Sequence, residues 1–300
     1  GTPFSFTDLY SELKSLDGYC VREYPAINEG TGEPLWPERW NLEALNTRRG
    51  EMTSIAFTRE YLCEPMDDMS SLFPSAIVNA CKDPYLHLMD RRDPDDDSQY
   101  FIGWDPAIAS DKNADYTVML VMRQIADGTK QIINCVHEKG LNSDEQKRQI
   151  IMLNNRFHPD LIELEGNNFQ RMFETELRFV DDLPIKTFMT TRTKKESMFM
   201  SLLMAFEQGK IRTPWGDERS KKFTMKLETE LNRFGMSRRG KLRSVGSHDD
   251  LAMGLALANW GTKEFRGSVV LLDDVLPGFD EFLGSTSSSS PAQQSPWFIA

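Results

Sequence analysis

Beyond residue 98 the apolar positions follow two alternating rhythms. Runs at 100–105, 116–122 and 131–137 are short and rich in strand-forming residues, separated by a polar loop and by the turn sequence Ala126-Asp127-Gly128-Thr129. They predict three strands in a meander. Residues 143–157 change to a helical period, with Ile150, Ile151, Leu153 and Phe157 able to share a face and with Ser143 and Gln146 at capping-box spacing. Pro159 stops that helix, 161–164 reads as a short strand, and Gly166-Asn167-Asn168 leads into a second amphipathic stretch carrying Phe169, Met172, Phe173 and Leu177. A fifth strand is expected at 184–188. Helices follow over 194–208, closed by Gly209, over 221–234, and over 249–260 with Ser247 as its cap. Between the last two, 235–245 has the basic tip Arg238-Arg239-Gly240-Lys241 and reads as a hairpin.

The front of the chain differs. Pro25, Pro34, Pro37, Pro65, Pro74 and Pro84 break residues 1–90 into irregular segments, with short helices expected near 42–49 and 57–63 and a small core of Trp36, Trp40, Phe57 and Tyr61. The charged, proline-broken segment 91–98 is the expected domain boundary. Three parts result: an irregular linker region over 1–98, a folded α/β domain over 99–266, and a C-terminal extension over 267–300 with a serine-rich, low-complexity end.

Charge changes the picture more than composition does. With 39% apolar residues in 300, a packed core is expected, and the apolar run 251–260 is far too short to cross a bilayer, so a soluble protein is expected. The net charge of −11 by itself opposes a polyanionic partner. Its distribution reverses that: residues 186–243 hold 15 Lys/Arg against 6 Asp/Glu, net +9, and the remainder is net −20. A basic stripe on an acidic molecule is the footprint of a nucleic-acid surface, although solvated helix faces give the same count. Cys20, Cys63, Cys81 and Cys135 have no metal-ligand or disulfide spacing, which fits a reducing, intracellular setting. The initial Gly1 suggests a piece of something longer.

Acidic residues at element ends carry the chemistry. Asp105 closes the first strand, Glu165 the fourth, and Asp249 with Asp250 opens the last helix. If the first and fourth strands are parallel neighbours, as a meander followed by a helical crossover permits, their carboxyl ends lie about 4.8 Å apart. Clustered carboxylates repel, and a hard divalent ion relieves the repulsion. Oxygen ligands favour Mg²⁺ or Mn²⁺, and two such ions suit in-line phosphodiester hydrolysis. Asp115 is a weaker fourth candidate, and Glu163 shares a strand face with Glu165. Each position has a structural alternative: Asp105-Pro106 as a turn, Glu165 as a cap, the paired aspartates as partners of a helix dipole, and His248 as a helix-start side chain.

Taken together, Gly103-Trp104-Asp105-Pro106-Ala107, Asp115-Tyr116-Thr117-Val118, Glu165-Gly166-Asn167-Asn168-Phe169-Gln170 and Ser247-His248-Asp249-Asp250-Leu251-Ala252-Met253 resemble the nuclease domain of tailed-phage terminase large subunits. Lys194-Lys195-Glu196 and Gly209-Lys210-Ile211-Arg212-Thr213-Pro214 resemble that family's segment between its second and third acids. The resemblance implies a ribonuclease H-like mixed central sheet flanked by helices, cutting concatemeric viral DNA during genome packaging with two Mg²⁺ or Mn²⁺ ions. It assigns Asp105, Glu165 and Asp250 as catalytic metal ligands, with Asp249 as neighbour or substitute; helical periodicity does not choose between the last two. Lys194, Lys195, Arg238, Arg239 and Lys241 are the expected contacts to double-stranded DNA. The segments 35–40 and 57–65 are similar to the stretch leading out of the family's packaging ATPase. No phosphate-binding GxxxxGK[ST] motif occurs, so the ATPase is expected upstream of this chain. A portal protein and a small terminase subunit are the implied partners, with no membrane, in the host-cell cytoplasm. Two rival readings are another ribonuclease H-like DNA enzyme (transposase, integrase or junction resolvase) and a non-catalytic motor–portal adaptor.

Overall fold

The computed structural model describes residues 2, 9–14, 16, 18–28, 30–64, 71–107, 116–166, 183–236, 242–244 and 249–265. Contacts divide the chain into units 1–269 and 270–300, and every described residue belongs to the first. In chain order the elements are α1 (Leu9–Lys14), α2 (Leu42–Glu51), α3 (Ser54–Leu62), α4 (Ser75–Ala80), β1 (Lys82–Asp83), β2 (Gln99–Asp105), β3 (Tyr116–Gln124) and β4 (Lys130–Lys139). Then come α5 (Ser143–Phe157), β5 (Leu161–Gly166), β6 (Ile185–Met189), α6 (Arg192–Glu207), β7 (Ile211–Pro214), α7 (Glu218–Leu231), β8 (Phe234–Met236), β9 (Leu242–Ser244) and α8 (Asp250–Phe265). The second amphipathic stretch near 169–177 lies outside the described residues.

Seven strands form one mixed sheet in the order β1-β7-β4-β3-β2-β5-β6. The meander is present: β2, β3 and β4 pair antiparallel, with Asp105 opposite Val118 and Val118 opposite His137. Helix α5 then carries the chain across to β5, which runs parallel to β2, and β6 runs parallel to β5. Apolar side chains cover both sheet faces. Tyr100, Ile102, Trp104, Met119, Val121, Ile162 and Leu164 pack with Ile150, Leu153 and Phe157 of α5. Val118, Leu120, Met122 and Ile132 pack on the other face with α6, α7 and α8. This three-layer, ribonuclease H-like arrangement follows from strands with both faces buried between helices.

The differences from the sequence expectations have local causes. Helix α5 starts where expected, but its capping box is Asn142 with Glu145, not Ser143 with Gln146: Asn142 Oδ1 accepts from Glu145 N (3.0 Å) and Glu145 Oε2 from Asn142 N (2.8 Å). A cap of this kind is worth about 1 kcal/mol. Helices α6 and α7 begin earlier than expected because Thr191 and Asp217 cap them through their side chains. Phe234 belongs not to α7 but to β8, which pairs with β9 as the expected hairpin; its tip lies outside the described residues. The sheet has seven strands rather than five because β1 and β7, two and four residues long, are too short to show a period. Segment 71–90 shares the core, with Leu72, Phe73, Val78 and Cys81 buried and β1 paired to β7. Phe57 is buried with Tyr61 stacked on it (5.0 Å) and Trp40 edge-on to Tyr61 (5.8 Å), whereas Trp36 is 56% exposed and is not core. All four cysteines are free. Among the described residues no helix is long and apolar enough to cross a membrane.

Candidate active site

The parallel register of β2 and β5 sets Trp104 opposite Leu164, so the residues that follow, Asp105 at the end of β2 and Glu165 one residue before the end of β5, lie side by side. Their carboxyl groups lie within hydrogen-bonding reach of each other. The third component arrives on α8. Asp249 is its N-cap, with its carbonyl accepting from Met253 N (2.9 Å), and Asp250 is the first helical residue, 7% exposed. Two glycines let this helix lie against the sheet. A Cβ on Gly103 would overlap the Gly254 carbonyl oxygen and sit 2.6 Å from Ala258 N, and one on Gly254 would sit 2.6 Å from Val118 Cγ1. That close approach brings Asp249 and Asp250 within electrostatic reach of Asp105.

The electrostatics follow from this crowding. Burial, then the charge and hydrogen bond of Glu165, then the charges of Asp250 and Asp249 push the Asp105 carboxyl well above the ordinary carboxylate range. The other charges find local partners. Thr190 Oγ1 donates to Glu165 Oε1 (3.0 Å), and Lys195 Nζ lies 3.5 Å from Asp249 Oδ2. Among the described residues no group of three or more His, Cys, Asp or Glu side chains stands in a ready-made ion-binding arrangement. The donor set nevertheless fits a hard divalent cation: it is all oxygen, and it crowds a buried Asp105 against Glu165, Asp250 and Asp249, a repulsion that a cation would relieve.

Neighbouring groups hold this arrangement in place. The turn after Asp105 is pinned by Gln146 Nε2, which donates to the carbonyls of Ala107 (2.9 Å) and Leu141 (3.0 Å), and by Thr117 Oγ1, which accepts from Ala107 N (3.2 Å). Gln146 thus leaves the helix cap and serves the site. Glu230 of α7, 4% exposed, accepts through Oε2 from Leu251 N (2.8 Å) and Ala252 N (3.3 Å). It satisfies two amides at the start of α8 that have no intrahelical partner. Burial raises its pKa to about 7.

The profile of the terminase RNaseH-like domain matches residues 102–259, a span that contains all four carboxylates. The chain belongs to the terminase RNaseH-like domain family. Among solved structures, the large terminase of a thermophilic bacteriophage in complex with ADP is similar, with a TM-score of 0.51, 10% identity, and coverage of 78% of this chain and 53% of that one. That likeness concerns the fold. The large terminase nuclease of thermophilic phage G20c with bound magnesium matches with a TM-score of 0.49 and 20% identity over 64% of this chain and 97% of that one. The nuclease domain of the large terminase subunit gp2 of bacterial virus Sf6, as a mutant with manganese and beta-thujaplicinol, matches with a TM-score of 0.47 and 12% identity over 63% and 98%. No curated protein sequence gives a significant match.

Within the terminase domain, Asp105, Glu165, Asp249 and Asp250 are brought together from three separate stretches of the chain. Glu163 lies opposite Gly103, one row deeper, buried beside Gly261 of α8. Lys194 is exposed at the start of α6, while Lys195 turns its ammonium toward Asp249. Asp115, Arg238, Arg239, Lys241, Ser247 and His248 lie outside the described residues. Thr190 was not foreseen, although it follows directly on a strand end, much as Asp105 and Glu165 stand at or near the ends of theirs. Glu230 carries no sequence signal, since an acid on an amphipathic helix reads as solvated.

Proposed function

We propose that this terminase domain is a Mg²⁺- or Mn²⁺-dependent DNA endonuclease that cuts concatemeric viral DNA during genome packaging. The observation that carries the reading is the buried Asp105 carboxyl with Glu165, Asp250 and Asp249 crowded against it. Asp105, Glu165 and Asp250 hold the metal, two ions in this reading, and Asp249 flanks them. Bound ions would activate the attacking water and stabilise the departing 3′ oxygen. The chain's own part is to gather the carboxylates and to keep the ligands oriented through Gln146, Thr190 and Glu230. Lys195 neutralises Asp249 until the charge balance changes.

Lys194, Lys195, Arg238, Arg239 and Lys241 contact the backbone of double-stranded DNA, giving affinity without sequence readout. Residues 99–266 form the nuclease domain with 71–90 packed onto it. The rest of 1–98 leads in from an upstream ATPase, and 267–300 is an extension. The portal protein and small terminase subunit are the partners in this reading, and the site of action is the host-cell cytoplasm. Supercoiled plasmid incubated with the protein and Mg²⁺ or Mn²⁺ is expected to be nicked and linearised, and Asp105→Ala is expected to abolish cutting. Equal cutting by both proteins rejects the site.

A further inference from the structure

On the side of Asp105 away from Glu165, four side chains from separate stretches meet at the same end and face of the sheet. Tyr116 begins β3, His137 and Lys139 end β4, and Lys226 projects from α7. The Tyr116 and His137 rings stack with centroids 4.1 Å apart and planes at 25°. Lys139 Nζ lies 4.9 Å and Lys226 Nζ 4.8 Å from the Tyr116 centroid. Lys226 Nζ also donates to His137 Nδ1 at 2.8 Å, which requires that nitrogen to be unprotonated. The rings are half-buried and both lysines are exposed.

Two ammonium groups against one ring repel each other. Each cation–π contact at an exposed site returns only about 0.5–1 kcal/mol. Among the described residues neither lysine has a carboxylate within ion-pair distance. Glu230, one turn along α7 from Lys226, is buried and spends its carboxylate on the amides of α8. The stacked rings therefore hold two ammonium groups in a fixed place, neither in an ion-pair contact among the described residues, which is a site prepared for an anion. With the imidazole on the tyrosine and ammonium groups against it, the cluster presents charge rather than an open aromatic face, so the matching ligand is a phosphate and not a base.

Position identifies which phosphate. Asp105 faces Val118 and Val118 faces His137, two strand spacings or roughly 10 Å. A separation of that order places the cluster within a few phosphates of the bond at Asp105. Lys194 and Lys195 lie on the opposite, Glu165 side of the carboxylates, at the start of α6. We infer that Tyr116, His137, Lys139 and Lys226 form a phosphate clamp that grips the DNA backbone within a few nucleotides of the bond cut at Asp105. The inference rests on the nuclease reading, and its test separates the two.

The test uses the Asp105→Asn protein, which is expected to bind DNA without cutting it, with and without Lys139→Gln and Lys226→Gln. Duplex binding is measured by fluorescence anisotropy from 50 to 200 mM salt. Removing two phosphate contacts is expected to reduce the slope of log K against log salt by about 1.8 and to weaken binding at 0.1 M salt by on the order of tenfold per lysine. Lysine-to-arginine replacements are expected to keep the slope, and calorimetric Mn²⁺ affinity is expected to stay unchanged in the otherwise wild-type protein carrying Lys139→Gln and Lys226→Gln. An unchanged slope and affinity in the double glutamine variant refutes the clamp, whatever the cleavage result. Continued plasmid cutting by Asp105→Asn refutes the nuclease site and leaves the slope measurement to judge the clamp on its own.

Discussion

Replacing Gly103 by alanine attacks the approach of α8 to β2, on which the meeting of Asp105 with Asp250 depends. The added Cβ overlaps the Gly254 carbonyl, and its distance to Ala258 N must open from 2.6 Å to at least the 3.4 Å of ordinary contact. Neither obstacle is a flexible side chain; both are backbone of a helix whose Leu251, Ala252, Leu255, Ala256 and Ala258 are fully buried. The helix must therefore withdraw as a body by about 1 Å. Overpacking of this kind costs about 1–3 kcal/mol. At about 2–4 °C per kcal/mol for a domain of this size, the melting temperature should fall by roughly 2–12 °C. Function should suffer more, because a displacement near 1 Å at catalytic groups costs about a hundredfold in rate. Urea denaturation and Mn²⁺-dependent plasmid nicking on the same preparation measure both quantities. Gly50→Ala on α2, where a Cβ meets nothing within 4 Å, is the control and should be neutral or stabilise by about 0.4–1 kcal/mol. A Gly103→Ala protein with wild-type stability and wild-type nicking would show that the helix does not depend on this contact and that the account of the site is wrong.

Other substitutions probe the charges and the supports. Asp105→Asn removes a carboxyl held above its ordinary range, so the native state binds more protons than the unfolded one and wild-type stability falls as pH rises past the ordinary carboxylate value. The variant should therefore melt higher than wild type without metal at pH 8, lose any Mn²⁺-dependent gain in melting temperature, and fail to cut DNA. Glu230→Gln keeps an acceptor for Leu251 N and Ala252 N; because Glu230 titrates at about 7 in the fold against 4.5 ordinarily, stability is lost between those values as pH rises, and the variant should flatten that part of a pH–stability curve. Glu230→Ala leaves both buried amides without that acceptor and should cost about 1–3 kcal/mol in chemical denaturation. Gln146→Leu strips the donor from the Ala107 and Leu141 carbonyls, with a similar expected cost and slower nicking because the Asp105 turn loosens.

Much of the frame was legible because its signals are local. The strands β2 to β5 and helix α5 appear in the residue pattern within a few positions, since alternation, helical period and turn residues such as Asp127-Gly128 act over a few neighbours. The placement of Asp105 and Glu165 on adjacent parallel strands was also legible, because a meander followed by a crossover helix leaves few alternatives. The capping residue of α5 was misread by one position because Asn142 and Ser143 are both competent caps, and only the backbone conformation selects between them. The strands β1 and β7 were not legible, since two to four residues carry no period and their pairing partner lies more than a hundred positions away. Trp36 showed the limit of reading burial from residue type, because an aromatic ring is apolar wherever it lies.

The sequence by itself determined the longer strands and helices, the reversal of charge between 186–243 and the rest, and the carboxylates that stand at or near element ends. Tertiary structure alone decided that Asp249 and Asp250 reach Asp105, that Gln146 and Glu230 are site supports rather than a cap and a solvated acid, and that Tyr116, His137, Lys139 and Lys226 share one place. The physical reason is range. Hydrogen-bonded period and capping depend on residues a few positions apart, whereas burial and charge clustering depend on distances in space that packing sets, here through the contact of two glycines between one strand and one helix.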